Sequence, residues 1–150
     1  MKKNLFRLCI ITIITIIYSS LLLPKPDSTF TATLFNVSGI MFSIGLGLIA
    51  TFNLNGIKNK FYIKKIRANI QHMSKLFITY FLVTTVCFIL NNMYNQLQDL
   101  IIISLWEISI RFNLNIFNNI VILCSIIYFT FNFQSIQTLN NDIFDKINEE

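Results

Sequence analysis

Four apolar runs, each about as long as a membrane-spanning helix, constrain the fold of this 150-residue chain more than any other feature. They cover roughly residues 5–23, 34–52, 76–93 and 116–133. About 17–25 mainly apolar residues span a bilayer as a helix, and only closed β-barrels offer another way to satisfy backbone groups in lipid. The runs do not alternate apolar with polar residues as barrel strands do. The sequence therefore predicts an all-α polytopic membrane protein: a single membrane domain, residues 1–150, with four transmembrane helices.

The placement of positive charge predicts the orientation. Lys2, Lys3 and Arg7 lie at the start of the first run. The connection 54–75 carries a larger basic group: Lys58, Lys60, Lys64, Lys65, Arg67 and Lys75. Because cytoplasmic loops are enriched in lysine and arginine, both termini and this connection are expected in the cytoplasm, with the loop 94–115 outside. We expect a multi-pass protein of the bacterial inner (cytoplasmic) membrane.

A cleaved signal peptide is the other interpretation of the N-terminus, where basic residues precede an apolar stretch. The stretch is long for a signal peptide, and no good small-x-small cleavage site follows it before Pro24. The sequence favours an uncleaved first helix.

The second run contains small residues spaced one helical turn apart. In lipid, such a stripe lets another helix approach closely enough for backbone-to-backbone packing. The stripe consists of Gly39, Ser43, Gly47 and Thr51. The first run has a weakly polar face suited to meet it, formed by Cys9, Thr12, Thr15 and Ser19.

The two cytoplasmic segments beside the runs carry opposite charges. Ile57–Lys75 predicts a basic amphipathic helix, and Gln134–Glu150 predicts an acidic one. The acidic tail contains Asp142, Asp145, Glu149 and Glu150. We expect the two segments to contact each other, within one chain or between copies, and the basic one to contact anionic lipid. Nucleic-acid binding is disfavoured, because the aromatic residues of the basic segment that could stack on bases are limited to Phe61 and Tyr62.

The outer segment Leu97–Phe112 fits two patterns. Ile108–Ile116 alternates as a strand would, whereas Glu107 and Arg111 form a favourable helical i,i+4 pair. A lone strand has no sheet to join, and isolated pairs are marginally stable. We therefore predict an amphipathic helix at the outer interface, with Trp106 at headgroup depth.

The pattern of ionisable residues argues against transport and catalysis. No charged residue or histidine lies in the interior of any run, where ion-coupled transporters place them. His72 has no neighbouring metal-binding residues, and the scattered cysteines Cys9, Cys87 and Cys124 fit packing positions. We expect no catalytic, cofactor-binding or metal-binding residues and hence a non-enzymatic protein.

One region and the general layout carry a resemblance. Ser38–Gly45, with the sequence SGIMFSIG, and Gly56–Asn59, with GIKN, resemble small inner-membrane superinfection-exclusion proteins of temperate phages. The layout is also similar to that of four-span immunity proteins against pore-forming colicins. The resemblance implies phage defence or immunity by contact within the bilayer, which blocks the passage of phage DNA or a toxin pore.

Two other functions fit the sequence. A membrane-perturbing effector or toxin would need a polar path, which Thr12, Thr15, Asn118 and Asn132 could line. The third possibility is an accessory subunit of a larger membrane complex. The fourth run has polar residues along roughly one face, which should point into the bundle or toward a partner subunit: Asn118, Ser125, Tyr128 and Asn132. The partners expected across these functions are a bilayer with anionic lipids, further copies of the chain, and a phage or host membrane protein.

Overall fold

The structure is a computed structural model that describes residues 2–21, 26–51, 60–93, 100–105 and 108–148, with side chains at 8–21, 26–51, 60–93 and 110–145. Its elements are α1 (Lys2–Ser20), α2 (Ser28–Ala50), α3 (Lys60–Met93), β1 (Leu100–Leu105), β2 (Ile108–Phe112) and α4 (Leu114–Asn148). The prediction of a helical chain is confirmed by four helices, and the structure adds one pair of strands.

Three of the described helices are long and apolar enough to cross a membrane. They are Ser28–Ala50, Lys60–Met93 and Leu114–Asp145. The predicted second, third and fourth spans are therefore confirmed as membrane-length helices. Within the residues whose side chains are described, α1 contributes a shorter apolar helix, Leu8–Ser20, and the predicted first span is not confirmed.

Side-chain caps fix where α2 and α4 begin. The Asp27 carboxylate accepts a hydrogen bond from the Phe30 amide at 2.7 Å, and Asn113 Oδ1 accepts one from the Ile116 amide at 3.1 Å. Both contacts join an N-cap to the third helical residue, whose amide has no partner inside the helix. As a result α2 begins six residues before its apolar run and α4 begins two residues before its run.

The helices α3 and α4 contain 34 and 35 residues. At 1.5 Å per residue each is about 50 Å long, whereas the hydrocarbon core of a bilayer is about 30 Å thick. The described part of the basic segment is therefore the first part of α3, and the described part of the acidic tail is the last part of α4. The predicted amphipathic helices are not separate elements, and their position at a membrane surface stays a prediction.

The helix predicted over Leu97–Phe112 is wrong for the described residues, which form an antiparallel hairpin. Leu100 pairs with Phe112 and Ser104 with Ser109, with a register shift between Ile101 and Ile103. The hairpin has a support that the sequence did not reveal, because β2 packs on α1. Trp106 and Glu107, on which the helix prediction depended, lie outside the described residues.

The chain forms two compact units. Unit 1 comprises Met1–Asn36 and Thr84–Cys124, and unit 2 comprises Val37–Val83 and Ser125–Glu150. Unit 1 contains α1 and the hairpin. Unit 2 is built around a buried apolar cluster of Phe77, Phe129 and Ile136.

Candidate contact surfaces

In unit 2, α2 packs on α3 through a glycine outside the predicted stripe. Gly45 is buried, and a Cβ added there would collide with the ring of Phe77, which is 0% exposed. Ser38, one heptad earlier on α2, is also fully buried. The signal that could have found this face is the seven-residue spacing of two small residues, which returns to nearly the same side of a helix.

The predicted stripe mostly faces away from the rest of the chain. Ser43, Gly47 and Thr51 are exposed, while Gly39 is half-buried, with Phe81 at ordinary van der Waals distance from an added Cβ. A Cβ added at Gly47 would meet nothing within 4 Å. The hydroxyls of Ser43 and Thr51 donate to the carbonyls of Gly39 and Gly47. The stripe is thus an open face of α2, and its role in packing against another helix stays a prediction.

Stacked aromatic rings hold the helices of unit 2 together. Phe42 of α2 stacks on Phe81 of α3 with ring centroids 4.2 Å apart. Tyr80 of α3 stacks on Tyr128 of α4 at 4.0 Å. Each such pair contributes about 0.5–1.5 kcal/mol beyond the burial of its area. This packing fixes which side of α2 remains open.

The interior of unit 1 is rich in asparagine. Asn118 Nδ2 of α4 donates to Asn91 Oδ1 of α3 at 2.9 Å, and the two residues are 3% and 4% exposed. Asn119 is also buried and donates to the Asn115 carbonyl. Four buried atoms of this unit have no hydrogen-bond partner among the described residues: Ser19 Oγ, Asn91 Nδ2, Asn115 Oδ1 and Asn119 Oδ1. Each such atom costs about 1–3 kcal/mol of desolvation, so polar pairing determines much of the stability of this unit.

The residues proposed for a polar path use their hydrogen-bonding groups inside the chain. Thr12 and Thr15 donate to the carbonyls of Leu8 and Ile11, and Asn132 donates to the Tyr128 carbonyl. Asn118 is paired with Asn91, as described above. The predicted inward orientation of the polar side of α4 is confirmed for Asn118 and Ser125, which are both buried. Hydrogen bonds to neighbours within the chain are typical of polar residues that pack between or along helices.

The charged segments share an apolar cluster, but their charges point elsewhere. Met73 of α3 packs against the cluster that contains Phe77, Phe129 and Ile136. A contact between the basic segment and the acidic tail stays a prediction. The described charged residues are all exposed: Lys60, Lys64, Lys65, Arg67 and Lys75 on α3, and Asp142 and Asp145 on α4. Lys58, Glu149 and Glu150 lie outside the described residues.

Within the described ranges there is no group of three or more histidine, cysteine, aspartate or glutamate residues that could hold a metal ion. His72 is exposed. Cys9 and Cys124 are exposed free thiols, and Cys87 is a buried one.

None of the known protein families, curated proteins or solved structures matches this chain. The resemblance to superinfection-exclusion and immunity proteins therefore stays a prediction from the residues that carry it. Of those residues, Ser38–Gly45 lie on α2, where they include the buried Ser38 and Gly45. Gly56–Asn59 lie outside the described residues.

Proposed function

We propose that this chain is a non-enzymatic protein of the bacterial inner membrane that acts by binding another membrane-inserted assembly. Three of the described helices are long and apolar enough to cross a bilayer, which supports the membrane location. In this proposal α1 is the fourth span. The apolar part of α1 is short, but the whole helix of 19 residues is about 29 Å long. The charged residues at its start are compatible with a span, since lysine and arginine side chains at a helix end can extend to the interface.

The open face of α2 is the observation that carries this proposal. One side of α2 is closed by Phe77 against Gly45, and the other side exposes Ser43, Gly47 and Thr51. A bilayer gives no hydrophobic drive for helices to associate, so close approach over small residues is a principal source of affinity. The open stripe offers such an approach to a helix from a partner.

The resemblance of Ser38–Gly45 supplies the class of partner. It favours superinfection exclusion, in which the bound assembly is the machinery that carries phage DNA through the inner membrane. Immunity against a pore-forming toxin uses the same contact with a different membrane-inserted helix.

The proposal is tested by inducible expression in an enterobacterial host, with growth, membrane potential and phage DNA uptake measured together. We expect healthy, polarised cells that block DNA uptake by some phages after normal adsorption. Gly47→Leu should abolish the block, because it covers the stripe with a branched side chain. Ile44→Leu is the matched control, since Ile44 is exposed and the substitution leaves the side-chain volume unchanged. Membrane abundance of both variants is measured by immunoblot.

Other outcomes would replace the proposal. Loss of membrane potential on expression alone would indicate a membrane-perturbing effector. Normal potential and normal DNA uptake, together with full sensitivity to pore-forming colicins, would indicate an accessory subunit. Equal protection by Gly47→Leu and Ile44→Leu at equal abundance would show that the stripe is not the contact surface.

A further inference from the structure

The first part of α3 carries a basic face that points away from the core of unit 2. At 100° per residue its members fall within an arc of about 80°. They are Lys60, Lys64, Arg67, Gln71 and Lys75, all exposed. Phe77, the buried residue of α3 in this unit, lies about 100° or more from most of them. The basic face is therefore directed outward.

The last part of α4 carries a complementary open groove in the same unit. The groove is shallow and open and is formed by one side of α4 alone, through Phe131, Gln134, Ser135, Thr138, Leu139 and Asp142. Asp145 continues it, since it lies three residues beyond Asp142 on nearly the same side. Ile136 and Ile143, which are buried, lie on another side of the helix. We call this surface the acidic groove.

The basic face and the acidic groove match in their length along the helix and in their distance from the apolar runs. Lys60 to Lys75 and Phe131 to Asp145 each cover about 21–23 Å along a helix. Arg67 lies nine residues before Leu76, where the third apolar run begins, and Asp142 lies nine residues after Phe133, where the fourth ends. Lys64 and Asp145 are both twelve residues away from these positions. Two copies in one bilayer would therefore hold these pairs at equal depth.

The charges of both surfaces have no partner of opposite charge in the part of the chain that the structure describes. Lys60, Lys64, Arg67, Lys75, Asp142 and Asp145 form no ion pair among the described residues. An anionic lipid surface would attract the cations but repel the two carboxylates at the same depth. A second copy satisfies both sets, because in a two-fold interface each surface meets its complement on the partner.

We propose that this chain forms a two-fold symmetric dimer in which the basic face of each copy docks on the acidic groove of the other. The proposal depends on the membrane placement given above and not on the proposed phage or toxin target. The exposed Phe131 ring, 66% accessible in one chain, supplies apolar area at the groove. The charges supply orientation and specificity.

The test measures the molar mass of the full chain in mild detergent at low ionic strength by light scattering. One variant, K64E/R67E, reverses the basic face, and another, D142K/D145K, reverses the groove. We expect a dimer for the wild type, loss of the dimer for each variant alone, and recovery when the two variants are mixed. Lys65→Glu is the control, since Lys65 is exposed and lies about 100° from Lys64. Circular dichroism checks that every variant keeps its helix content.

Three results would overturn the proposal. One is a monomeric wild type at every ratio of protein to detergent, and another is failure of the mixed variants to associate. The third is loss of the dimer in K64E/R67E while D142K/D145K still dimerises, which would assign the cations to lipid headgroups. Because the readout is mass, these results are independent of the phage assay.

Discussion

Gly45 and Gly47 lie two positions apart on α2 and have opposite surroundings. A Cβ at Gly45 would collide with the Phe77 ring, whereas a Cβ at Gly47 would meet open space. The ring cannot move aside easily, because it stacks on Phe129 with centroids 5.1 Å apart. Gly45 therefore sets the distance between α2 and α3 in unit 2, and Gly47 is free to serve a contact outside the chain.

We expect Gly45→Ala to lower the free energy of unfolding by about 1–3 kcal/mol, the usual cost of overpacking a core. Gly47→Ala should be neutral or raise it by about 0.5–1 kcal/mol, because alanine is the better helix former. Unfolding by denaturant in mild detergent, followed by circular dichroism, measures both. Equal stability of the two variants would contradict the close packing on Phe77. Combining Gly45→Ala with Phe77→Leu should recover part of the lost free energy of unfolding, because the smaller side chain removes the collision with the added Cβ.

The pair Asn91–Asn118 gives a second prediction at this scale. Asn118→Ala removes the donor and leaves Asn91 Oδ1 buried without its partner, so unfolding should become easier. A double-mutant cycle with Asn91→Ala should give a coupling energy of about 0.5–2 kcal/mol, the range for hydrogen bonds between membrane helices. Asn92→Ala is the control, because Asn92 is exposed one position away. A coupling energy near zero would show that the bond contributes nothing.

Among the elements, the hairpin depends most on a neighbour. A two-stranded hairpin is marginal by itself, and β2 gains support from α1. The backbone amide of Arg111 donates to Ser20 Oγ at 3.1 Å, which joins the strand to the end of the helix. This bond links residues 91 positions apart in sequence.

We expect Ser20→Ala to speed amide hydrogen exchange at Arg111, because a typical bond of this kind contributes about 0.5–1.5 kcal/mol. That range corresponds to a roughly two- to tenfold faster exchange if local opening limits it. Thr12→Ala is the matched control, since the Thr12 hydroxyl donates to the Leu8 carbonyl of its own helix. Unchanged exchange at Arg111 in Ser20→Ala would show that the hairpin does not depend on this bond.

For the whole molecule, the proposed four-span topology makes a direct prediction. A reporter fused after Pro26 should be outside the cytoplasm, and one fused after Glu150 should be inside, because the basic residues favour cytoplasmic termini. Paired fusions to alkaline phosphatase and a fluorescent protein measure both positions. If the Pro26 fusion is cytoplasmic while the Glu150 fusion is unchanged, the number of crossings after Pro26 is even, so the topology in which α2, α3 and α4 each cross once is wrong. If both fusions are reversed, the orientation itself is wrong.

The sequence alone determined that this is a helical membrane chain, because twenty-residue apolar runs have few other stable forms in water or lipid. It also located the charged ends of α3 and α4 and the inward polar side of α4, since helical periodicity is a local property. Only the tertiary structure decided that Gly45 packs on Phe77, that Asn118 pairs with Asn91 and that β2 is supported by α1. These contacts join residues distant in sequence, so neither spacing nor propensity could identify the partner in advance.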